Sequence, residues 1–106
     1  MDIGELKKQS DISYDIAVAK RNALEKAHSR LVVVYNGHIF KADPETINMV
    51  KTLEESHGSP LYVLDSNQNP VEITEPKQFL KQLIERNQEA ISSYHQMSKT
   101  FEKRGD

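Results

Sequence analysis

The C-terminal part of this 106-residue chain contains no helix breaker between Pro76 and Gly105. Thr74 is a helix-capping residue type and Pro76 is tolerated in a first turn, so the stretch predicts one helix over about residues 75–103. Such a helix is roughly 43 Å long at 1.5 Å per residue, whereas a compact chain of this size has a radius of gyration of about 13 Å. The C-terminal part of the helix is therefore predicted to project from the globule.

This long helix carries residues at alternating spacings of three and four, the a/d pattern of a coiled coil. The positions predicted to contact a partner are Asn87, Ala90, Tyr94, Met97 and Phe101. Asn87 falls at an a position, where a buried amide fixes register and oligomeric state. The flanking positions lack the alternating Glu and Lys of a dimeric zipper, so a self-paired coil and a helix contact inside a larger assembly both stay open. The alternative is that this segment frays or folds back on its own chain.

A β-hairpin is predicted around Asn36-Gly37, which separates two β-prone runs at residues 31–35 and 38–41. Both central residues of a type I′ turn need positive φ, which Asn and Gly tolerate. A second, looser hairpin is predicted from residues 61–64 and 71–74, because the loop between them is rich in residues that bond their own backbone in turns.

A helix is predicted between these hairpins. Asp43, Pro44 and Glu45 supply a capping side chain, a residue already at helical φ and an acid that favours the helix dipole. His57-Gly58 offers a left-handed C-cap at the other end. The apolar residues between these signals recur with helical spacing, so we expect about four turns.

The N-terminal region divides into two parts. Residues 1–10 show no hydrophobic period and are predicted to be a flexible arm. Residues 12–28 carry apolar residues at helical spacing, with Ser10 or Asp11 as the cap, and predict a first helix. The order helix, β-hairpin, helix, β-hairpin, long C-terminal helix indicates a single α+β domain over residues 11–106, with a small antiparallel sheet covered by helices.

The composition excludes several functional classes. The formal net charge is −2 and there is no cysteine, so the chain lacks the basic footprint of a nucleic-acid-binding protein and the ligands of a thiolate metal site. Its longest apolar run is residues 31–35, which is far too short to span a membrane. No leader pattern begins the sequence, and we expect a protein that binds neither nucleic acid nor membrane.

No catalytic or metal constellation is evident from the residue types. The histidines are His28, His38, His57 and His95, and none has a second ligand at the i+4 spacing of a helical metal site. Asp43 and Glu45 are explained as a cap and a first-turn acid. We therefore predict no catalytic, cofactor-binding or metal-binding residue, and we expect no enzymatic activity.

The motif order over about residues 17–101 resembles an uncharacterised small domain family of tailed bacteriophages, associated with tail, tail-fibre and fibre-assembly genes. The segments that carry the resemblance are residues 27–30, 33–40, 42–46, 62–64, 70–74 and 94–95. The family usually has a Trp and an Asp-Gly turn in its second hairpin, where this chain has Tyr62 and the turn residues 67–69.

The resemblance implies a non-catalytic phage structural or tail-assembly protein, located in the virion or in the host cytoplasm during assembly. It would dock onto other virion or tail proteins, or onto a second copy, through the long helix and the N-terminal arm. A phage-encoded regulator that inhibits a host or phage protein and a fibre-assembly chaperone remain as alternatives.

Overall fold

The computed structural model describes the backbone of residues 3–105 and the side chains of residues 12–101. The elements in chain order are α1 (Ile3–Arg30), β1 (Val32–Tyr35), β2 (His38–Lys41), α2 (Pro44–Ser56), β3 (Leu61–Leu64), β4 (Pro70–Ile73) and α3 (Pro76–Gly105). This confirms the α+β class and the predicted order of helix, hairpin, helix, hairpin and long helix. In place of one small sheet, the strands form two two-stranded antiparallel sheets, β1-β2 and β3-β4.

The chain forms two compact units. The hairpin unit is Arg30–Ala90, and the helical unit comprises the described residues up to Ser29 and from Ile91 onward. The helices α1 and α3 contain 28 and 30 residues, so each is longer than about 40 Å at 1.5 Å per residue. A small core cannot cover helices of that length from end to end, and this explains the division.

The first helix is longer than predicted. Its backbone is helical from Ile3, so residues 3–10, which were predicted to be a flexible arm, belong to α1, and Ser10 and Asp11 lie inside the helix instead of capping it. The reason is that residues 5–9 are Glu, Leu, Lys, Lys and Gln, which are strong helix formers, and no Pro or Gly occurs between Gly4 and Arg30. The absence of an apolar period did not prevent helix formation.

The first hairpin is closed as its sequence predicts. Asn36 and Gly37 have φ angles of 48° and 80°, as a type I′ turn requires, and Tyr35 pairs with His38 across it. The φ of Gly37 is one that a residue with a side chain adopts only at a cost in strain.

The second helix also begins and ends as predicted. An Asp43 carboxylate oxygen accepts a hydrogen bond from the Thr46 N–H at 2.8 Å, and Pro44 occupies the first helical position. At the other end, the N–H groups of His57 and Gly58 both donate to the Leu53 carbonyl, and Gly58 has a φ of 85°.

The core of the hairpin unit lies between the inward faces of both hairpins and one face each of α2 and α3. Its largest fully buried side chains are Phe40, Val50, Leu61, Ile73, Phe79 and Leu83. Phe40 and Phe79 pack edge to face, with ring centroids 4.9 Å apart. Every element of the unit thus contributes to one core, which fixes which face of each hairpin points outward.

The long helix begins at Pro76, where the Glu75 carbonyl accepts a hydrogen bond from the Phe79 N–H. Thr74, which was predicted to be the cap, lies one residue further out. Its carbonyl accepts a hydrogen bond from the Ser59 hydroxyl at 2.9 Å, and its own hydroxyl lies 3.4 Å from that of Tyr35. Thr74 therefore ties the start of α3 to the hairpins.

Candidate protein-docking face

The outward sides of the two hairpins carry exposed apolar residues. The side chains alternate along each strand, so the residues between those of the core point away from it. These outward residues include Val32, Val34, Ile39, Tyr62 and Leu64, all of which are exposed. We refer to this set as the outer face.

Such a composition is unusual for a surface that faces water. In antiparallel hairpins with one face on a core, the opposite face is normally polar. Here Val34 and Ile39 are direct cross-strand partners, and Val34 and Tyr62 are 67% and 66% exposed. Clustered exposed apolar side chains are typical of surfaces that another protein covers.

The two hairpins are linked to each other by two hydrogen-bonded contacts. The Ser66 N–H, just after β3, donates a hydrogen bond to the Ile39 carbonyl of β2 at 2.8 Å. Beside this bond, His38 Nδ1 lies 2.8 Å from Asp65 Oδ2. The exposed residues Ile39 and Leu64 are therefore each adjacent in sequence to a residue of this junction.

Asp65 organises this junction and is only 4% exposed. Its Oδ1 accepts hydrogen bonds from the N–H groups of Asn67 and Asn69, at 2.8 and 2.9 Å. The hydrogen bond from Asn69, followed by that from His38, holds the pKa of the Asp65 carboxyl below its ordinary value, although burial opposes this. An ionised carboxylate only accepts hydrogen bonds, so His38 Nδ1 is the donor in their contact.

An aspartate that orients a histidine is also part of many hydrolytic triads. A triad needs a nucleophile at the second ring nitrogen, and among the described side chains no hydroxyl forms a hydrogen bond with His38. The chain contains no cysteine. The arrangement therefore supports a structural junction between the hairpins, and the sequence reasoning missed it because His38 and Asp65 are distant in the chain.

Two of the residues predicted to contact a partner have intramolecular roles instead. Ala90 is only 2% exposed, and the Asn87 side chain donates a hydrogen bond to the Ala42 carbonyl at 2.9 Å. The assignment of Asn87 and Ala90 to a partner interface is thus corrected: the a/d pattern reports packing within this chain at these positions. A seam spacing alone cannot distinguish packing within the chain from packing between chains.

The other predicted interface residues belong to the helical unit. Tyr94 and Phe101 are half-buried, and Met97 is 38% exposed. The same unit contains the greater part of α1. A contact of Tyr94, Met97 and Phe101 with another protein stays a prediction.

The described residues contain no group of three or more His, Cys, Asp or Glu side chains that could hold a metal ion. A cavity of about 510 Å³ opens to solvent and is lined by residues that include Glu54, Ser59, Glu75 and Lys77. Within the described part of the chain, no helix is both long and apolar enough to cross a membrane.

One sequence signal does point to the outer face. A half-buried strand alternates apolar and polar residues, whereas residues 31–35 are apolar without interruption. This run places valines on both sides of β1, so it indicates an apolar outward side as well as an apolar inward side.

No protein-family model matches this chain, and no curated protein or solved structure matches it either. The resemblance to the phage domain family rests on the sequence pattern alone.

Proposed function

We propose that this chain is a non-catalytic assembly protein that docks onto another protein through the outer face of its two hairpins. The observation that carries this proposal is the exposure of Val34, Ile39, Tyr62 and Leu64 on the outward sides of the two hairpins. Burying such a surface lowers the free energy of the complex by about 25 cal/mol for each Å² of apolar area removed from water, which favours association.

The junction beneath the outer face supports the proposal because a docking surface benefits from being fixed before it binds. The hairpins are held by the His38–Asp65 contact and by the hydrogen bond from Ser66 to Ile39. Little ordering of these strands would remain to be done on association, so less of the binding free energy is lost.

The place of action follows from the resemblance given above. A chain similar to domains encoded among tail and fibre genes is proposed to be a structural or tail-assembly protein of a tailed bacteriophage. Its partners would be other virion or tail proteins, and a second contact through Met97 on α3 is part of the same proposal.

The test is the protein content of purified particles. Particles released by cells that carry the gene are isolated on a density gradient and analysed by mass spectrometry. We expect the chain at a fixed ratio to the tail proteins, and we expect the Val34→Thr, Ile39→Thr double variant to be lost from the particles. Threonine is β-branched like valine and isoleucine, so the strands should still form.

Two controls complete this experiment. Lys51→Thr, on the exposed side of α2, should be retained in particles like the wild type. Far-UV circular dichroism of each purified variant verifies that it is folded. A wild-type chain that is abundant in infected cells but absent from particles would contradict the structural role and favour a fibre-assembly chaperone or an inhibitor.

A further inference from the structure

We propose that β1 pairs with β1 of a second copy of this chain, so that the first hairpins of both copies form one four-stranded antiparallel sheet across a two-fold axis. This inference goes beyond the proposed function, because it concerns the backbone at the edge of β1 and not the docking of the outer face. It rests on which backbone groups of β1 point outward and on what occupies or blocks the other strand edges.

The backbone groups of Val32 and Val34 point away from β2. In an antiparallel pair, residues that exchange hydrogen bonds with the partner strand alternate with residues whose N–H and C=O point outward. The Ala42 N–H donates to the Leu31 carbonyl, so Leu31 is of the first kind. Counting along the strand from Leu31, Val32 and Val34 are of the second kind. Ile39, the partner of Val34, agrees with this, because its carbonyl accepts a hydrogen bond from the second hairpin.

These outward groups have no partner in the described part of the chain. Among the described residues, none outside the β1-β2 ladder forms a hydrogen bond with the N–H or C=O of Val32 or Val34. The side chains of both residues are exposed, Val34 to 67%. The edge of β1 thus presents two donors and two acceptors in a row, which is a template for another strand.

The edges of β2 and β3 are turned toward each other. The Ser66 N–H, just after β3, donates to the Ile39 carbonyl, which is an outward group of β2. Further along the same two strands, Lys41 and Leu64 line one small cavity. These two edges therefore meet at the junction between the hairpins, and the outer edges of the hairpin unit are those of β1 and β4.

The outer edge of β4 is blunted. The Asp65 N–H donates to the Asn69 carbonyl, so by the same alternation the next residues with outward backbone groups are Pro70 and Glu72. Proline has no N–H, and Glu72 places an exposed charge at the following outward position. Proline and charged residues are means by which proteins keep strand edges from pairing. β1 has neither, because its four residues are Val, Val, Val and Tyr, and its edge is left open.

A second copy of β1 satisfies this edge completely. In an antiparallel pairing centred on Val33, Val32 of each copy lies opposite Val34 of the other, and the two residues exchange both of their hydrogen bonds. The pair occurs twice, so every outward donor and acceptor of β1 in both copies is used. The three valines read the same in both directions, as a two-fold axis requires, and the pairing consumes both open edges. The assembly therefore closes at two copies.

The pairing also extends the apolar outward side of the first hairpin. Antiparallel neighbours in one sheet keep equivalent faces on the same side, so Val32 of one copy lies beside Val34 of the other on the outward side. Cross-strand contacts between β-branched side chains stabilise such a pair. One short strand pairing must also offset the freedom lost on association, so we expect a dimer that dissociates on dilution.

Amide hydrogen exchange of the full-length wild type, followed by NMR at low and high concentration, tests the pairing directly. The Val32 and Val34 amides point outward in the monomer and are bonded in the dimer. We expect them to exchange at least about tenfold more slowly at the concentration where sedimentation velocity shows the dimer. The Val33 amide already belongs to the β1-β2 ladder and should be protected at both concentrations.

Two matched variants test the register. In Val32→Glu with Val34→Lys, the antiparallel pairing places an acid opposite a base at both positions across the interface. In Val32→Glu with Val34→Glu, the same pairing places acids opposite each other. Both lose the same valine contacts, so the second variant should have a dimer dissociation constant at least about tenfold higher than the first. Lys51→Glu, an exposed change on α2, is the control and should leave dimerisation unaltered.

A wild type that stays monomeric throughout the concentration range would overturn the proposal and leave the edge of β1 to a strand of another protein. A dimer in which the Val32 and Val34 amides still exchange freely would overturn it too, because another surface would then hold the copies together. Equal dissociation constants for the two charged variants would contradict the antiparallel register. A monomeric chain that is still found in particles overturns the dimer alone, whereas a dimer that is absent from particles overturns the structural role alone.

Discussion

His38 Nδ1 lies 2.8 Å from Asp65 Oδ2, and this contact joins two hairpins that are separate two-stranded sheets. The Asp65 carboxylate also organises its own loop by accepting hydrogen bonds from Asn67 and Asn69. One side chain therefore shapes the second hairpin and fixes it to the first. Because the outer face has residues on both hairpins, their relative placement depends on this junction.

Replacing Asp65 should destabilise the hairpin unit. Asp65→Ala removes the buried acceptor of three hydrogen bonds that hold the loop and the junction, so the midpoint of urea denaturation should fall. Asp65→Asn keeps a side-chain oxygen that can accept the hydrogen bonds of the loop, so its denaturation midpoint should fall less. The chain contains no Trp, so far-UV circular dichroism is a suitable probe. The exposed control Glu55→Gln on α2 should match the wild type, and an Asp65→Ala midpoint equal to that of the control would contradict the junction's role.

The same carboxylate predicts a dependence of stability on pH. Its pKa is lower in the folded chain than in the unfolded one, chiefly because of the hydrogen bond from Asn69. The folded state therefore binds fewer protons, and the contribution is fully present above the ordinary aspartate pKa of about 4 and is lost as the pH falls through the lowered value. The difference in stability between wild type and Asp65→Asn should be constant near neutral pH and should shrink in acid. A difference that grows in acid would contradict this assignment.

The cap of α2 should contribute measurably to stability. Asp43→Ala removes the acceptor for the Thr46 N–H and should lower the free energy of unfolding by about 1 kcal/mol. Asp43→Ser retains a capping oxygen and should recover most of this loss. Thermal denaturation of the three proteins decides the matter, and equal stability of the alanine and serine variants would show that the cap contributes nothing.

Asn87 should affect stability and not association. Asn87→Ala leaves the Ala42 carbonyl without the donor that lies 2.9 Å away, and should lower the free energy of unfolding by about 1 kcal/mol. Gln82→Ala, at an exposed position of the same helix, is the matched control. Urea denaturation together with light scattering separates the two roles, because a change in oligomeric state at unaltered stability would return Asn87 to a partner interface.

Local signals predicted the elements whose residues act on near neighbours. Asn36-Gly37 and Asp43-Pro44 each specify a turn or a cap through backbone angles and contacts within a few residues, and both were confirmed. The order of the helices and strands could be predicted from these turn and cap residues. The start of α1 could not be predicted, because helix propensity without an amphipathic period gives no sharp boundary signal.

The features that depend on distant residues were not predictable in the same way. Asn87 and Ala42 are 45 positions apart, and no local pattern indicates that the amide of one binds the carbonyl of the other. The pairing of His38 with Asp65 is equally non-local. The apolar outward side of β1 could have been predicted, because its uninterrupted valine run departs from the alternation of apolar and polar residues in a half-buried strand.

The most direct measurement is photo-crosslinking from the outer face in cells that carry the gene. Tyr62 is replaced by a photoreactive phenylalanine analogue in one variant, and the exposed Lys51 is replaced in a control. The account predicts a light-dependent product of defined mass from position 62, containing a second copy of the chain or a particle protein, and none from position 51. The absence of any product from position 62 in cells that assemble particles would contradict the claim that this face docks onto a protein.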